Sequence, residues 1–487
     1  MSKHSHLLKK VVKNKVLHYV FSRYATYLVQ FVNSLFIAVY LGPYYLGIWG
    51  FITLIIQYLN QINFGISHSV NAIISIHKKK EWYVQKVIGT ALTMLAVLSI
   101  VVILFFLTNK IFHLNIGSKY NFSTYALAVA GIGVLAYYNS LFAVVFRVYG
   151  KIMEIAINQS AFPVLMLIAI LCFKGENLIW ALVGANLLAF SVSLCLYILK
   201  SPVKLKPLFI GRLAKSIQVK GWHLFIYNTS FYFIVISTRS FVSFYYSVEE
   251  FGYFTFAFAL ANTVLLLLQS FSFLIFPKLL NRLACASNEK VVELLNQLRD
   301  AYITTSHLLV HFAILFFPLF ILLFPQYNQS ANAFKLIALT VVLYTNSFGY
   351  SGLLIAKNKE KKLSHLSFLS LIINIIIAFV LSAVFHVPFS FVITATMVSY
   401  FIYVFILGRM GRKLVNLNLS TFEVLKDIYP IKLILPYILN ICFIFLSINE
   451  WFFIIPVVLF IALNYKTLVQ IKNIAKTIVI KPEFIDI

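Results

Sequence analysis

The sequence predicts an all-α integral membrane protein of about fourteen transmembrane helices. These are expected as two pseudo-symmetric six-helix lobes around a central cavity, with two extra C-terminal helices. Three observations carry this. Hydrophobic residues make up 61% of the 487 positions and charged residues only 11%, far more apolar than a water-soluble core requires. Apolar runs of roughly 20 residues, the length that crosses a bilayer, recur from one end to the other without barrel-type alternation. Lys and Arg, finally, are concentrated in every second connection between runs.

In chain order the expected spans are His18–Tyr40, Tyr45–Gly65, Val87–Leu107, Thr124–Val148, Ala156–Phe173, Leu178–Leu199, Trp222–Tyr246, Phe251–Phe276, Ala301–Leu323, Ala333–Ala356, Leu366–Val384, Phe389–Leu407, Ile431–Leu446 and Trp451–Val469. An omitted or invented helix would scramble the charge alternation, and the alternation survives throughout. One side holds Lys9 to Lys15, Lys78 to Lys80, Arg147 with Lys151, the Lys200 to Lys220 stretch, Lys278 to Arg299, Lys357 to Lys362, Arg409 to Lys432 and the C-terminal lysines. The other holds little beyond Lys110, Lys119, Lys174 and Lys335. Both termini are therefore expected in the cytoplasm. The N-terminal lysines precede no small-residue cleavage site, so no removable signal is read and the first helix serves as its own insertion signal.

The formal charge of +26 is distributed over short loops, which fits topology and not nucleic-acid binding. Cys172, Cys195, Cys285 and Cys442 have no metal-ligand spacing, so neither a disulfide nor a metal is expected. The expected organisation is an N-lobe over 1–199, an interlobe linker over 200–221 carrying Pro202 and Pro207, a C-lobe over 222–408, a polar linker over 409–430, and the last two helices with the tail over 431–487. A weak internal repeat supports the lobes. YYLGIWGF at Tyr44 to Phe51 resembles EEFGYFTF at Glu249 to Phe256, aligning Gly47 with Gly252. Chance similarity between aromatic-rich loops is the other reading.

Catalytic signatures are missing: there is no GxxxxGK[ST] loop, no HExxH and no DxD pair, and the non-cytoplasmic loops are short. An enzyme is not expected, nor a cofactor. Polar residues inside spans carry the functional argument, because a charge at mid-span costs about 2.5–3.5 kcal/mol even on lenient scales. Arg23 and Arg239 alone fall more than a turn from a span end, and no carboxylate falls mid-span. Stripes at helical spacing accompany them: Gln30 and Asn33 with Arg23 on the first helix; Gln57, Asn60, Gln61 and Asn71 on and after the second; Asn228 with Arg239 on the seventh; Asn262 and Gln269 on the eighth. Interhelical hydrogen bonding explains any one of these. Four stripes on repeat-related helices favour a hydrated cavity.

The repeat offset maps Arg23 onto Asn228, eleven residues before Arg239, a distance of roughly 16 Å along a helix. Two cationic stations at different depths suit a phosphate or diphosphate, which guanidinium groups grip bidentately; snorkelling to the interface is the competing reading for Arg23. An inside-negative potential drives an anion outward by about 2.3 kcal/mol per charge per 100 mV. If protons couple, His307 and His311 are the candidates; hydrogen-bonded packing is the alternative.

The stretch from Arg23 through LGPYYLGIWGFITLIIQYLNQINFGISHSVN, Leu41 to Asn71, resembles the Wzx-type polysaccharide flippases of the multidrug/oligosaccharidyl-lipid/polysaccharide exporter superfamily. The resemblance implies a bacterial inner-membrane protein working by alternating access. Its implied cargo is undecaprenyl-diphosphate-linked oligosaccharide for O-antigen, lipopolysaccharide or capsule. The implied partners are that lipid-linked substrate, membrane lipid, and the polymerase and glycosyltransferases of the same route. A cation antiporter of the superfamily and a membrane polysaccharide polymerase are the alternatives. Drug-extruding relatives usually carry acidic residues in their helices, which this chain lacks; a polymerase needs a long external loop, and none is visible.

Overall fold

The computed structural model describes residues 15–112, 117–264, 288–415 and 420–480, which form helices and turns and no strand. Sixteen helices come in order: α1 Lys15–Gln61, α2 Ile66–His77, α3 Glu81–Ile111, α4 Ala126–Val148, α5 Ile152–Cys172, α6 Glu176–Leu199, α7 Gly211–Tyr245, α8 over 248–264, α9 Asn288–Ile321, α10 Ala331–Thr345, α11 Tyr350–Ala356, α12 Glu360–Phe379, α13 Thr394–Leu414, α14 Thr421–Ile428, α15 Ile431–Phe445 and α16 Ile454–Ile480.

Their outer faces are apolar. Along α3, Val97, Ile100, Val101, Leu104 and Phe105 are all exposed, a surface that only a lipid solvent tolerates. The chain is a multi-pass membrane protein. Among the described residues ten helices are long and apolar enough to cross a bilayer, or eleven if α14 and α15, bent by 74°, form one broken span. The expected count of fourteen is not confirmed by length and composition among the described residues, for local reasons. The first two expected spans are the two halves of α1, which break where Gly42 takes φ 67° before Pro43; the eighth runs into residues 265–287, outside the described residues; and α7 carries Asn228 and Arg239 within its apolar stretch.

Two compact units divide the chain, one of Met1–Thr229 with Tyr246–Thr255, the other of Ser230–Tyr245 with Phe256–Ile487. In the first, α5 packs on α1 and α6, and α4 on α3 and α6. Residues 202–210 are not helical but docked: Leu208 N–H donates to Gly89 O at 3.3 Å, and a Cβ on Gly89 would meet the Lys206 carbonyl. In the second, α12 packs on α13, α10 on α9 and α13, and α15 and α16 on each other and on α9 and α10. The C-terminal pair is thus built into the second unit.

The repeated sequence elements meet each other inside the first unit. A Cβ on Gly47 would strike the carbonyl of Val248, and one on Gly252 would strike the carbonyl of Pro43. The offset that aligns Gly47 with Gly252 also aligns Pro43 with Val248, so the two contacts are the same contact seen from either side. Glycine is required because backbone touches backbone. Replacing Gly47 by Val should lower stability by about 1–3 kcal/mol through overpacking, read as a fall in the thermal midpoint of the purified protein; Gly184→Val, where a Cβ meets nothing within 4 Å, serves as the control.

Candidate transport site and its buried charges

The polar residues singled out from the sequence fall into the two units. Arg23 lies on α1, with its side chain outside the described residues, and Gln269 also lies outside them. In the first unit Asn33 is buried and gives its amide to Pro163 O at 2.7 Å, beside the proline that interrupts the ladder of α5. Two turns earlier, Thr26 and Ser160 share a hydroxyl contact of 2.9 Å across the same pair of helices. These bonds stitch α1 to α5, the packing role of polar groups in a bundle. Gln30, Gln57, Asn60, Gln61, Asn71 and Asn228 are half-buried.

In the second unit Arg239 is 2% exposed, the largest fully buried side chain of the described residues. Its guanidinium carbon lies 4.7 Å from the centroid of the Phe258 ring, a cation–π contact worth about 2 kcal/mol when desolvated. Asn262, one turn along α8, donates to Phe258 O at 2.8 Å, so Arg239 and Asn262 are gathered around one residue. The adjacent Thr238 touches Thr396 of α13 at 2.7 Å, while Asn374 of α12 reaches Ile234 O and Ser237 Oγ, each at 2.8 Å. That web holds this stretch of α7 against α12 and α13 and fixes the backbone that presents Arg239.

His307 and His311, both 1% exposed, face the C-terminal pair. His307 Nε2 meets Asn346 Oδ1 at 3.0 Å, and His311 Nδ1 meets Asn440 Nδ2 at 2.8 Å.

The largest charge cluster is not legible in the sequence. Asp427 of α14 takes Arg412 of α13 bidentately, with Oδ1 to Nη2 at 2.6 Å and Oδ2 to Nε at 2.7 Å. It accepts from Tyr350 Oη at 3.0 Å, and Arg299 of α9 lies 3.7 Å away. Arg299 donates to Tyr350 Oη and, at 3.0 Å, to Asn346 O; Arg412 adds Asn296 Oδ1 at 2.8 Å. In sequence both arginines look like loop cations that mark topology. At the other end of the unit Lys335, 2% exposed, reaches both oxygens of Glu450 at 2.5 and 2.6 Å over the Phe453 ring. Among the described residues no group of three or more metal-ligating side chains is assembled.

Removing one partner of a buried pair leaves an uncompensated charge and costs about 3–5 kcal/mol. Asp427→Ala should lower the thermal midpoint far more than the exposed-site change Lys426→Ala on the same helix; equal, small shifts would contradict the clamp.

No curated protein sequence matches the chain. Its fold is that of known transporters. It resembles an inward-facing multidrug resistance MATE family transporter of the MOP superfamily (TM-score 0.63, 13% identity, covering 82% of this chain and 98% of that one). It also resembles the lipid II flippase MurJ in an inward closed conformation (0.63, 14%, 92% and 97%). A third likeness is to a MOP superfamily transporter from Pyrococcus furiosus, described as having a binding pocket of reverse polarity (0.59, 15%, 83% and 96%). Residues 12–281, more than half the chain, match the model of the family described as polysaccharide biosynthesis protein, in accord with the resemblance carried by Leu41 to Asn71: the chain belongs to the polysaccharide biosynthesis protein family.

Proposed function

We propose that this chain is a flippase that carries undecaprenyl-diphosphate-linked oligosaccharide repeat units from the cytoplasmic to the outer leaflet by alternating access. The products would be O-antigen, capsule or a related polymer, made in a bacterial inner membrane with both termini in the cytoplasm. The observation that carries this reading is Arg239, a guanidinium buried at 2% exposure over the Phe258 ring. A cation kept in such a place is a functional hypothesis by default, and its natural cargo is an anion; a lipid diphosphate supplies one, and half-buried Asn262 of the same unit is of the type that binds sugar hydroxyls. Membership of the polysaccharide biosynthesis family supports the same cargo class.

The likeness to a multidrug MATE transporter favours a second reading, export of cationic drugs. That chemistry needs an acidic residue in the membrane, and the 14 acidic residues of the sequence all lie at or beyond the ends of its apolar runs. Arg239→Ala removes a charge-assisted contact worth about 1.5–3 kcal/mol, so surface polysaccharide should fall roughly 10- to 100-fold at normal protein abundance, with Arg239→Lys intermediate. Full export in Arg239→Ala would remove the basis of the proposal, and altered susceptibility to cationic dyes would point to the second reading.

A further inference from the structure

The second unit contains a cluster of buried titratable rings outside the surroundings of Arg239. His307 and His311 lie about one turn apart on α9, with the centroid of the His307 ring 6.2 Å from that of His311 and 6.2 Å from that of Tyr437 on α15. Hydrogen bonds fix both tautomers. Asn346 gives its amide to Ile428 O at 3.1 Å, so its Oδ1 accepts from His307 Nε2 and the lone pair of that ring stays on Nδ1. Asn440 gives its amide hydrogens to Pro436 O and to His311 Nδ1, so the His311 proton sits on Nε2.

Three buried atoms then have no hydrogen-bond partner: the acceptor His307 Nδ1, the donor His311 Nε2 and the hydroxyl of Tyr437. Each costs about 1–3 kcal/mol if left unmet. They are chemically complementary to one water molecule, which donates to Nδ1, accepts from Nε2–H and exchanges with the phenol, within the two to four partners a buried water takes. Other groups facing the site do not satisfy it. The Phe460 ring of α16 lies 5.0 Å from His311. Lys335 of α10 is held by Glu450 ahead of α16, Tyr429 before α15 donates to Phe401 O, and Arg299 on α9 is taken by Tyr350 and Asn346. Tyr327, before α10, stacks on Phe256.

We propose that His307, His311 and Tyr437 form a proton-binding site bridged by one water, with the C-terminal helix pair supplying Tyr437 and the Asn440 that orients His311. A hydrated proton adds to the bridging water while that water passes a proton to His307 Nδ1. An N–H bond forms, an O–H bond breaks, and the ring becomes imidazolium; release reverses the step. Nothing but water is needed as donor or acceptor.

The site is tested on the full chain in lipid nanodiscs, labelled at the histidine nitrogens and followed by NMR from about pH 8 to about pH 5, with His307→Gln and His311→Gln assigning the signals. Two neutral rings protonated at Nε2 are expected at the alkaline end, and uptake of one proton by the pair on acidification. Tyr437→Phe should move the midpoint by about half a pH unit or more. Rings that stay neutral across the range, proton uptake unchanged in His307→Gln, or a midpoint indifferent to Tyr437→Phe would each overturn the site. Uptake is read without transported substrate, so its absence leaves the flippase proposal standing, and loss of flipping in Arg239→Ala leaves this one standing.

Discussion

A single carboxylate organises one end of the second unit. Asp427 lies on the short helix α14, yet through Arg412, Tyr350 and Arg299 it reaches α13, α11 and α9, and the next residue along, Ile428, accepts from Asn346 just beyond α10. Charges removed from water demand partners with good geometry, and a site with two cations and one anion tolerates few arrangements. The small residues around it answer that demand. Gly408 and Gly411 on α13 leave room for Ile428 and for the Tyr350 ring, and a Cβ on either would collide with them. The break between α10 and α11 at Gly349, φ 85°, sets Tyr350 at the start of a new helix.

Fixing α14 also fixes the helices beyond it. The 74° bend into α15 turns the chain back beside α9, where Ile303, Leu433 and Phe460 make a small apolar cluster and Asn440 meets His311. At the far end Lys335 and Glu450 close the same arrangement. The last two helices are therefore held at both ends by ion pairs to buried cations and at the middle by a polar contact. The sequence suggested only two extra helices after the second lobe.

What was legible in the sequence reflects which forces are local. Hydropathy is a property of a run of residues, so the apolar helices were visible, as was the joint at Gly42 and Pro43. The depth of Arg239 was visible because it stands alone in an apolar run. Arg299 and Arg412 were not, because a cation that marks the edge of a membrane and a cation folded inward beneath it occupy the same place in a sequence. Only the partner distinguishes them, and Asp427 is 128 positions from the first. Asn33 shows the converse. Its polarity was legible, but its bond to the Pro163 carbonyl makes it a stitch between α1 and α5, which spacing alone does not reveal.

The mutual contact of Gly47 and Gly252 has a further consequence. Each glycine touches the backbone at the position equivalent to the one the other touches, which is the signature of an isologous interface, where residue i meets j and j meets i. Such a surface is self-complementary. A side chain at either glycine would therefore force apart the same pair of backbones, so neither position can change without opening the contact that the other makes.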